Sequence, residues 1–399
     1  MSGAGSHRAS LVSRRADAMP ASSTVAIADE ASKLRRDGVS VVDLSAGRAA
    51  EATAAQICWA ARRAIDSGDT HQTEARGRPY YLEACAEKLQ RENGVLVDPA
   101  RNVIATFGCK QGLVLALMAA LDSGDEVLCE DPCFVSYGPA IRLAGGTPRR
   151  VPLRPATGYR WIRDDFEGAI GPRTRAILFC SPHNPTGVVH TASDLQVIAD
   201  VATDHDLIVI ADETYEGVTW KQRVHHPIAL LPGMADRTIG LMSLTKAYSM
   251  GGWRIGYAYG SARHIAAMEK IQQHLATCTS SFVQAGAAVA VSAETTRAME
   301  PTWRDWERRC EYTTSALDAM TGLRVSMPDA GFYAWVDITE TGLRSQEFAT
   351  RLLREQHVAV VPGVAFGDTA DHYIRTTCVR SWQELVAGVE RIELFLRSV

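Results

Sequence analysis

Between Leu44 and Ser292, short apolar runs alternate with segments of helical periodicity, and a polar cluster directly follows each of five runs. This alternation predicts βαβ units and a mainly parallel sheet. Ligands of such sheets bind beyond the carboxyl ends of the strands, so the five clusters should converge on one site. The runs are Val103–Phe107, Glu126–Cys129, Ala176–Phe179, Leu207–Ala211 and Ile239–Met242.

The cluster after the last run contains Lys246, and its neighbours indicate what that lysine binds. Ser243 and Thr245 precede the lysine, glycines follow it, and Arg254 lies eight residues further on. Hydroxyls, glycine backbone and arginine are groups that hold a phosphate. A lysine among them can form a Schiff base with a phosphorylated aldehyde, so the cluster predicts a site for pyridoxal 5'-phosphate (PLP).

Composition narrows the class of protein. Of the 399 residues, 46% are apolar and 22% are charged, and the net charge of -4 gives no positive field that would favour nucleic acid or an anionic membrane. No apolar run approaches the roughly 18 residues that span a bilayer, and no secretion signal is evident, so a cytoplasmic protein is expected. The nine cysteines include no Cys-x-x-Cys pair, so no metal site is predicted.

The pattern predicts two domains and a separate amino-terminal segment. Residues 49–292 should form a large PLP-binding domain, and residues 293–399 a small carboxyl-terminal domain. Residues 1–14 are small and polar, which predicts a flexible start, and residues 15–48 should pack on the small domain. The predicted helices outside the large domain are Thr24–Asp37, Arg297–Met320, Ser345–Glu355 and Ser381–Arg397, and the predicted strands there are Val39–Leu44, Leu323–Ser326, Phe332–Ile338 and Val358–Val361.

In their order and spacing, these clusters resemble the class I aminotransferases among the fold-type I PLP enzymes, especially the bacterial aspartate aminotransferase-like branch. The resemblance runs from about Ala16 to the carboxyl terminus. It implies a mainly parallel central sheet with helices on both faces, a smaller α+β domain, and a homodimer with active sites at the interface. The motifs that carry it are Gly108-Cys-Lys-Gln111, Asn184-Pro-Thr-Gly187, Asp212-x-x-Tyr215, Lys246 with Arg254, Pro328-Asp-Ala-Gly-Phe-Tyr333, Val361-Pro-Gly-Val-Ala-Phe-Gly367 and Tyr373-Ile-Arg375.

The resemblance assigns catalytic roles to three residues. Lys246 is the expected Schiff-base lysine, whose freed amine then carries a proton. Asp212 ends a predicted buried strand and would pair with the protonated ring nitrogen of PLP, although an aspartate there could also cap a helix. Tyr215 and Asn184 resemble the residues that hydrogen-bond the phenolic oxygen of PLP, although Asn-Pro-Thr-Gly alone also suits a turn.

A phosphate site is predicted at Gly108, Cys109 and Lys110, because backbone N–H groups at a helix start bind phosphate. Cys109 stands where the family more often has Ser or Ala, and it is interpreted as a small filler. Phe134 resembles the aromatic residue that stacks on the cofactor ring, and the alternative is a core phenylalanine. The remaining predicted phosphate ligands are Ser243, Thr245 and Arg254.

On the substrate side, Arg375 resembles the arginine that holds the α-carboxylate, and an exposed arginine is the alternative. Asn184 and Gly47 are expected to contact substrate as well. Two segments depart from the family pattern: Arg48 follows Gly47 where the family has Gly-Glu-Pro-Asp, and Gln72 replaces a tyrosine that reaches the phosphate of the neighbouring subunit. Arg48, unless it is solvated, would meet an acidic or bulky substrate.

These features predict a PLP-dependent enzyme that acts at the α-amino group of an amino acid. The preferred prediction is an aminotransferase with a non-standard substrate. The departures leave open a specialised C–S β-eliminase or a decarboxylating or oxidative deaminase of secondary metabolism. A PLP-sensing regulator is a third alternative. It is disfavoured because the segment before the first predicted strand is too short for a winged-helix domain. No nucleic acid or membrane partner is expected.

Overall fold

The structure is a computed structural model that describes residues 12–17, 19 and 23–399. Most of the predicted flexible start, 1–14, therefore lies outside the described residues. The helices are α1 Arg14–Asp17, α2 Ser23–Arg36, α3 Ala55–Asp66, α4 Pro79–Lys88, α5 Pro99–Asn102, α6 Cys109–Ala120, α7 Tyr137–Leu143, α8 Arg163–Glu167, α9 Ala192–Asp204, α10 Ala262–Leu275, α11 Ser281–Ala290, α12 Ala293–Asp318, α13 Ser345–Gln356 and α14 Trp382–Leu396. The strands are β1 Val42–Asp43, β2 Val103–Thr106, β3 Glu126–Asp131, β4 Thr147–Pro152, β5 Thr174–Cys180, β6 Ile208–Asp212, β7 Thr238–Ser243, β8 Gly256–Gly260, β9 Tyr333–Asp337, β10 Val358–Ala359, β11 Val361–Pro362 and β12 Tyr373–Thr377.

A seven-stranded sheet in the order β2-β8-β7-β6-β5-β3-β4 forms the centre of the molecule. Strand β8 runs antiparallel to both of its neighbours, and the other paired strands are parallel. The five apolar runs became β2, β3, β5, β6 and β7. The predicted mainly parallel sheet is thereby confirmed, and the carboxyl ends of these five strands lie at one edge.

Helices cover both faces of this sheet because alternate residues of each strand point to opposite sides. Along β6, Ile210 joins an apolar cluster that contains Leu113 of α6. The preceding residue, Val209, joins a second cluster that contains Leu195 and Ile198 of α9. Among the residues that the structure describes, no helix is long and apolar enough to cross a membrane.

Two smaller sheets lie outside the central one. One is antiparallel, in the order β11-β12-β9, and the other pairs β1 with β10 in parallel, with Val42 opposite Val358. The strand predicted over Leu323–Ser326 is reduced to an isolated bridge between Arg324 and Asp337. Strand β12 was not predicted.

The amino-terminal segment lies against carboxyl-terminal elements. Ala31 of α2 is fully buried and clusters with Leu353 of α13 and Ala359 of β10. The predicted domain boundaries after residues 48 and 292 stay predictions. The loop after β1 and the sheet of β9, β11 and β12 lie across the carboxyl ends of the central strands.

Candidate active site

A cavity of about 420 Å³ lies at the carboxyl ends of the central strands. Residues of the loop after β1 and of the antiparallel sheet close it from the other side. Because five strand ends meet at this edge, residues far apart in sequence come together. The predicted site residues that line it are Gly47, Cys109, Lys110, Phe134, Asn184, Asp212, Tyr215, Ser243, Thr245, Lys246, Arg254 and Arg375.

Lys246 projects into this cavity from the loop after β7. Its Nζ donates hydrogen bonds to the carbonyl oxygen of Gly47, at 2.7 Å, and to Tyr333 Oη, at 3.4 Å. The same nitrogen lies 5.7 Å from the ring centre of Tyr215 and 5.6 Å from that of Phe332. Within the described part of the chain, Lys246 forms no salt bridge with a carboxylate. Neutral groups hold the amine, so a ligand can compete for it.

Gly47 is required by this close approach. A Cβ atom at this position would lie 2.1 Å from Tyr333 Oη and 3.1 Å from Lys246 Nζ. Glycine therefore lets the backbone carbonyl reach the lysine.

Asp212 ends β6 and is buried among neutral donors. Its Oδ1 accepts from Cys109 Sγ at 3.3 Å and from the Thr214 amide at 3.2 Å, and its Oδ2 accepts from Tyr137 Oη at 2.9 Å. Burial, and then the Asp212 charge, raise the pKa values of Cys109 and Tyr137 well above their ordinary values, so both stay protonated as donors. No helix starts at Asp212. The capping alternative therefore does not apply, and Cys109 does more than fill space.

Arg375 lies in the middle of β12 and is buried, which removes the alternative of an exposed arginine. Its Nη1 donates to Asn184 Oδ1 at 2.9 Å. The guanidinium carbon lies 3.9 Å from the ring centre of Tyr333 and 4.8 Å from that of Phe366. Its Nε is buried without a hydrogen-bond partner. No carboxylate in the described ranges forms a salt bridge with this guanidinium, so it can hold the carboxylate of a ligand.

The residues predicted to hold a phosphate lie together at the opposite end of the cavity. Gly108 precedes α6 with a φ of 78°, and Arg254 Nη2 donates to the Phe107 carbonyl at 3.2 Å. Burial, followed by the charges of Arg254 and Lys246, lowers the pKa of Lys110. Like charges crowd here without a described carboxylate between them. An anionic group would relieve that repulsion.

The balance of charge around the cavity fits PLP. Lys110, Lys246, Arg254 and Arg375 face one carboxylate, Asp212, among the described lining residues. PLP carries a phosphate and a phenolic oxygen on opposite sides of its ring, and its reaction partner carries a carboxylate, so these groups together would neutralise the excess positive charge. The single carboxylate suits a protonated ring nitrogen.

Two predicted residues lie elsewhere. Arg48 and Gln72 are both exposed, and neither lines the cavity of this single chain. The Arg48 side chain therefore has the solvated position that was the alternative to a substrate contact. Gln72 was expected near the phosphate of a neighbouring subunit. Their contacts with substrate or cofactor stay predictions.

Sequence reasoning missed the roles of two buried tyrosines. Tyr137 lies three residues after Phe134, and the rings meet edge to face with centres 5.7 Å apart. The three-residue spacing from Phe134 could have indicated that Tyr137 lies near the same site. Tyr333 ended one of the quoted motifs, but its contact with Lys246 depends on packing between distant segments. Other lining residues not predicted are Ser45, Ala46, Leu113 and Thr214.

Comparisons with known proteins agree with this geometry. The aspartate aminotransferase of Pyrococcus abyssi is 38% identical over 359 residues, covering 90% of this chain and 92% of that protein. The aromatic-amino-acid aminotransferase 2 of Thermococcus litoralis is 36% identical over 359 residues, with the same coverage of 90% and 92%. The solved aspartate aminotransferase of Thermus thermophilus with maleate matches with a TM-score of 0.91 and 36% identity, covering 96% of this chain and 99% of that one.

The family model described as aminotransferase class I and II matches residues 39–392, nearly the whole chain. The relatives differ in the substrates they are named for, so the match fixes the reaction class and the cofactor but not the amino acid. The β-eliminase, deaminase and regulator alternatives are not favoured. By sequence, fold and site geometry, this chain belongs to the class I and II aminotransferases, the PLP-dependent enzymes of fold type I.

Proposed function

We propose that Lys246 forms the Schiff base with PLP and that Arg375 with Asn184 holds the α-carboxylate of the amino-acid substrate. The observation that carries this proposal is the position of Lys246 Nζ, 2.7 Å from the Gly47 carbonyl oxygen and without a carboxylate partner among described residues. A lysine so placed can leave its neutral acceptors for an aldehyde.

The remaining contacts follow from the same placement. Asp212 would accept a hydrogen bond from the ring nitrogen, and Tyr215 and Asn184 would contact the phenolic oxygen. Phe134 would stack on the ring. When bound, PLP supplies an electron sink for the substrate carbon that loses its proton. The phosphate would be held by the backbone N–H groups at the start of α6 (Gly108, Cys109 and Lys110), together with the side chains of Ser243, Thr245 and Arg254.

In this arrangement the chain contributes orientation and proton transfer. The fork of Arg375, fixed by Asn184, sets the direction of the Cα–H bond of the substrate. Lys246 Nζ, once free, would accept that proton from the substrate Cα and deliver it to the aldehyde carbon of PLP. Tyr137 and Cys109 orient the Asp212 carboxylate by donating to its two oxygens.

We infer that Lys110 favours substrates with a second carboxylate. The backbone N–H of Lys110 belongs to the proposed phosphate site, but its side chain also lines the cavity and forms no salt bridge among the described residues. The lowered pKa of Lys110, caused by burial and then by Arg254 and Lys246, also favours an added anion. A non-dicarboxylate substrate, as the departure at Arg48 suggested, is the competing proposal.

The proposed selectivity can be tested with Lys110→Met. We expect kcat/KM for aspartate to fall about 10-fold, because one charge-assisted hydrogen bond is lost. For alanine, which lacks the second carboxylate, kcat/KM should change less than about twofold. An equal loss with both amino acids would place Lys110 on the cofactor instead.

The reaction itself is tested by adding amino acids to the PLP form without an acceptor. Transamination should convert the cofactor to its amine form and yield one 2-oxo acid per site without ammonia. Lys246→Ala should abolish this, whereas Lys270→Met, at an exposed lysine of α10, should not. Ammonia release with the cofactor still in its aldehyde form would overturn the proposal and favour elimination or oxidative deamination.

We further propose that two copies form a homodimer with the active sites near their interface. Large apolar side chains stay exposed on the single chain: Trp59 at 61% and Ile65 at 48% on α3, and Leu275 at 55% at the end of α10. Packing against a second copy would remove such apolar surface from water. Sedimentation should give twice the mass of 43.3 kDa, and Trp59→Glu with Ile65→Glu should give monomers. A monomeric wild type would contradict the proposal.

A further inference from the structure

We propose that Tyr333 is a positioning residue of this site with two separable functions: its phenolic oxygen holds the amine of Lys246, and its ring holds the guanidinium of Arg375. This inference rests on the proposed roles of Lys246 and Arg375 and extends them. It makes one side chain the link between the amine that moves the proton and the arginine that positions the substrate.

The first function follows from the hydrogen bonds of the phenolic oxygen. Tyr333 is 4% exposed, and its Oη accepts from Lys246 Nζ at 3.4 Å and from Tyr215 Oη at 3.3 Å. Two donors that converge on one buried oxygen make it an acceptor for the lysine. Together with the Gly47 carbonyl, this oxygen fixes where Nζ stands before substrate arrives.

Electrostatics support that assignment. Burial alone would raise the pKa of Tyr333, but the charges of Lys246 and Arg375, with the hydrogen bonds from Tyr215 and Lys246, lower it below its ordinary value. For Tyr215, burial and then Tyr333 raise the pKa well above the ordinary value. Of the two coupled phenols, Tyr333 is therefore the acceptor and Tyr215 the donor.

The second function follows from the ring. The Arg375 guanidinium carbon lies 3.9 Å from the ring centre of Tyr333, a distance at which cation–π attraction is effective. Phe366 faces the same guanidinium with its ring centre at 4.8 Å. The two rings therefore restrict the plane of the fork that receives a carboxylate, and Asn184 fixes one of its nitrogens.

A purely structural role predicts something different. Tyr333 also packs against Phe332, with ring centres 5.0 Å apart, and phenylalanine would fill that space equally well. The hydroxyl is then the discriminating atom, because a packing role does not need it. A Cβ at residue 47 would lie 2.1 Å from this hydroxyl, so the hydroxyl fits only because residue 47 is glycine.

The two functions are tested by a pair of variants. Tyr333→Phe keeps the ring and removes the oxygen. We expect kcat to fall about 10-fold or more with KM within about twofold, because proton transfer by Lys246 is affected and substrate binding is not. The pH titration of the visible absorbance of bound PLP should also shift, which a packing role would not cause.

Tyr333→Leu removes the ring as well. We expect an additional rise of about 10-fold in KM for both the amino acid and the 2-oxo acid, because Arg375 loses its platform. Tyr373→Phe is the matched control: this tyrosine belongs to the same sheet but stacks on Trp335, with ring centres 4.9 Å apart and outside the cavity. It should retain wild-type constants.

The outcomes separate this inference from the proposed function. A Tyr333→Phe variant with the kcat and the absorbance titration of the wild type overturns the inference while transamination by the wild type stands. A wild type that releases ammonia instead of transaminating overturns the proposed function, whatever Tyr333 does. Should Tyr333→Leu fail to fold, Tyr333→Phe alone decides, since it removes a single oxygen.

Discussion

At the scale of single residues, the best-supported feature of the site is the environment of Asp212. A buried carboxylate needs donors or a cation to stay ionised. The described structure supplies three neutral donors, Cys109, Tyr137 and the Thr214 amide. Neutral donors orient the carboxylate but leave its charge for a ligand. This environment supports the proposed pairing of Asp212 with the protonated ring nitrogen of PLP.

Replacing Asp212 with Asn should therefore lower kcat roughly 10- to 100-fold, which corresponds to the loss of a hydrogen bond to a charged group. The shape of the side chain is kept, so the melting temperature should change little. Steady-state kinetics with saturating PLP measure the effect, and Asp164→Asn, at an exposed position of α8, is the control. Wild-type kcat in Asp212→Asn would show that the carboxylate does not face the ring nitrogen.

The residues that could be predicted from sequence are those whose chemistry is visible locally. Lys246, Asp212 and Asn184 each directly follow a recognisable strand, so their convergence could be inferred from the sheet alone. Tyr333 could not be assigned in this way. Its neighbours Lys246 and Gly47 lie 87 and 286 positions away in sequence, and only packing brings them together.

At the scale of elements, β8 is one of the strands that the apolar pattern did not predict. Its sequence, Gly256-Tyr-Ala-Tyr-Gly260, has glycine at both ends, and glycine is normally depleted in strands. The structure gives the reason for the first glycine: a Cβ on Gly256 would lie 2.5 Å from the Met242 carbonyl oxygen and 3.2 Å from Gly108 Cα. The strand passes close behind the turn that starts α6.

Strand β4 escaped prediction for another reason. It is the edge strand, and its sequence Thr147-Pro-Arg-Arg-Val-Pro152 has prolines and exposed arginines. Such residues are tolerated at edges, where one side of the strand needs no partner. The central strands were predictable because burial on both faces makes them continuously apolar.

Gly256→Ala tests the role of the close approach at β8. We expect a destabilisation of about 1–3 kcal/mol, because the added methyl meets backbone atoms that cannot rotate away. Urea unfolding measures the change, and it should be accompanied by weaker PLP binding, since the start of α6 is displaced. Gly252→Ala, where a Cβ would meet nothing within 4 Å, is the matched control. Equal stability of the two variants would contradict the argument.

At the scale of the whole molecule, buried histidines link stability to pH. Burial lowers the pKa of His183 to about 3 and that of His190 to about 4. His190 stacks on Trp161 with ring centres 3.7 Å apart, which leaves no room for hydration of an imidazolium. Between the ordinary pKa of 6.5 and these lower values, the unfolded chain binds protons that the folded chain does not. Acid in that range therefore favours unfolding.

His190→Gln should flatten the pH dependence of stability. In the wild type, the free energy of unfolding decreases as the pH falls from 6.5 to about 4, and His190 contributes to that slope. Without His190, the slope should be smaller by about 1.4 kcal/mol per pH unit. Burial raises the pKa of Glu130, so this residue makes both proteins more stable as the pH falls. The effect of His190 is therefore measured as the difference in slope between the variant and the wild type. Urea midpoints across this pH range measure the slope. His226→Gln, at an exposed site, should keep the wild-type slope.

The pairing of β1 with β10 joins residues 42–43 to residues 358–359, and the Thr377 amide donates to the Leu44 carbonyl at 2.8 Å. The loop that carries Gly47 follows directly, so both contacts help to place the carbonyl that accepts from Lys246. Synthesis runs from the amino terminus, so β10 and Thr377 are made long after β1, and the Gly47 loop lacks these partners until then. All seven strands of the central sheet come before β10 in the chain, so that sheet can fold before the pocket around Lys246 is complete.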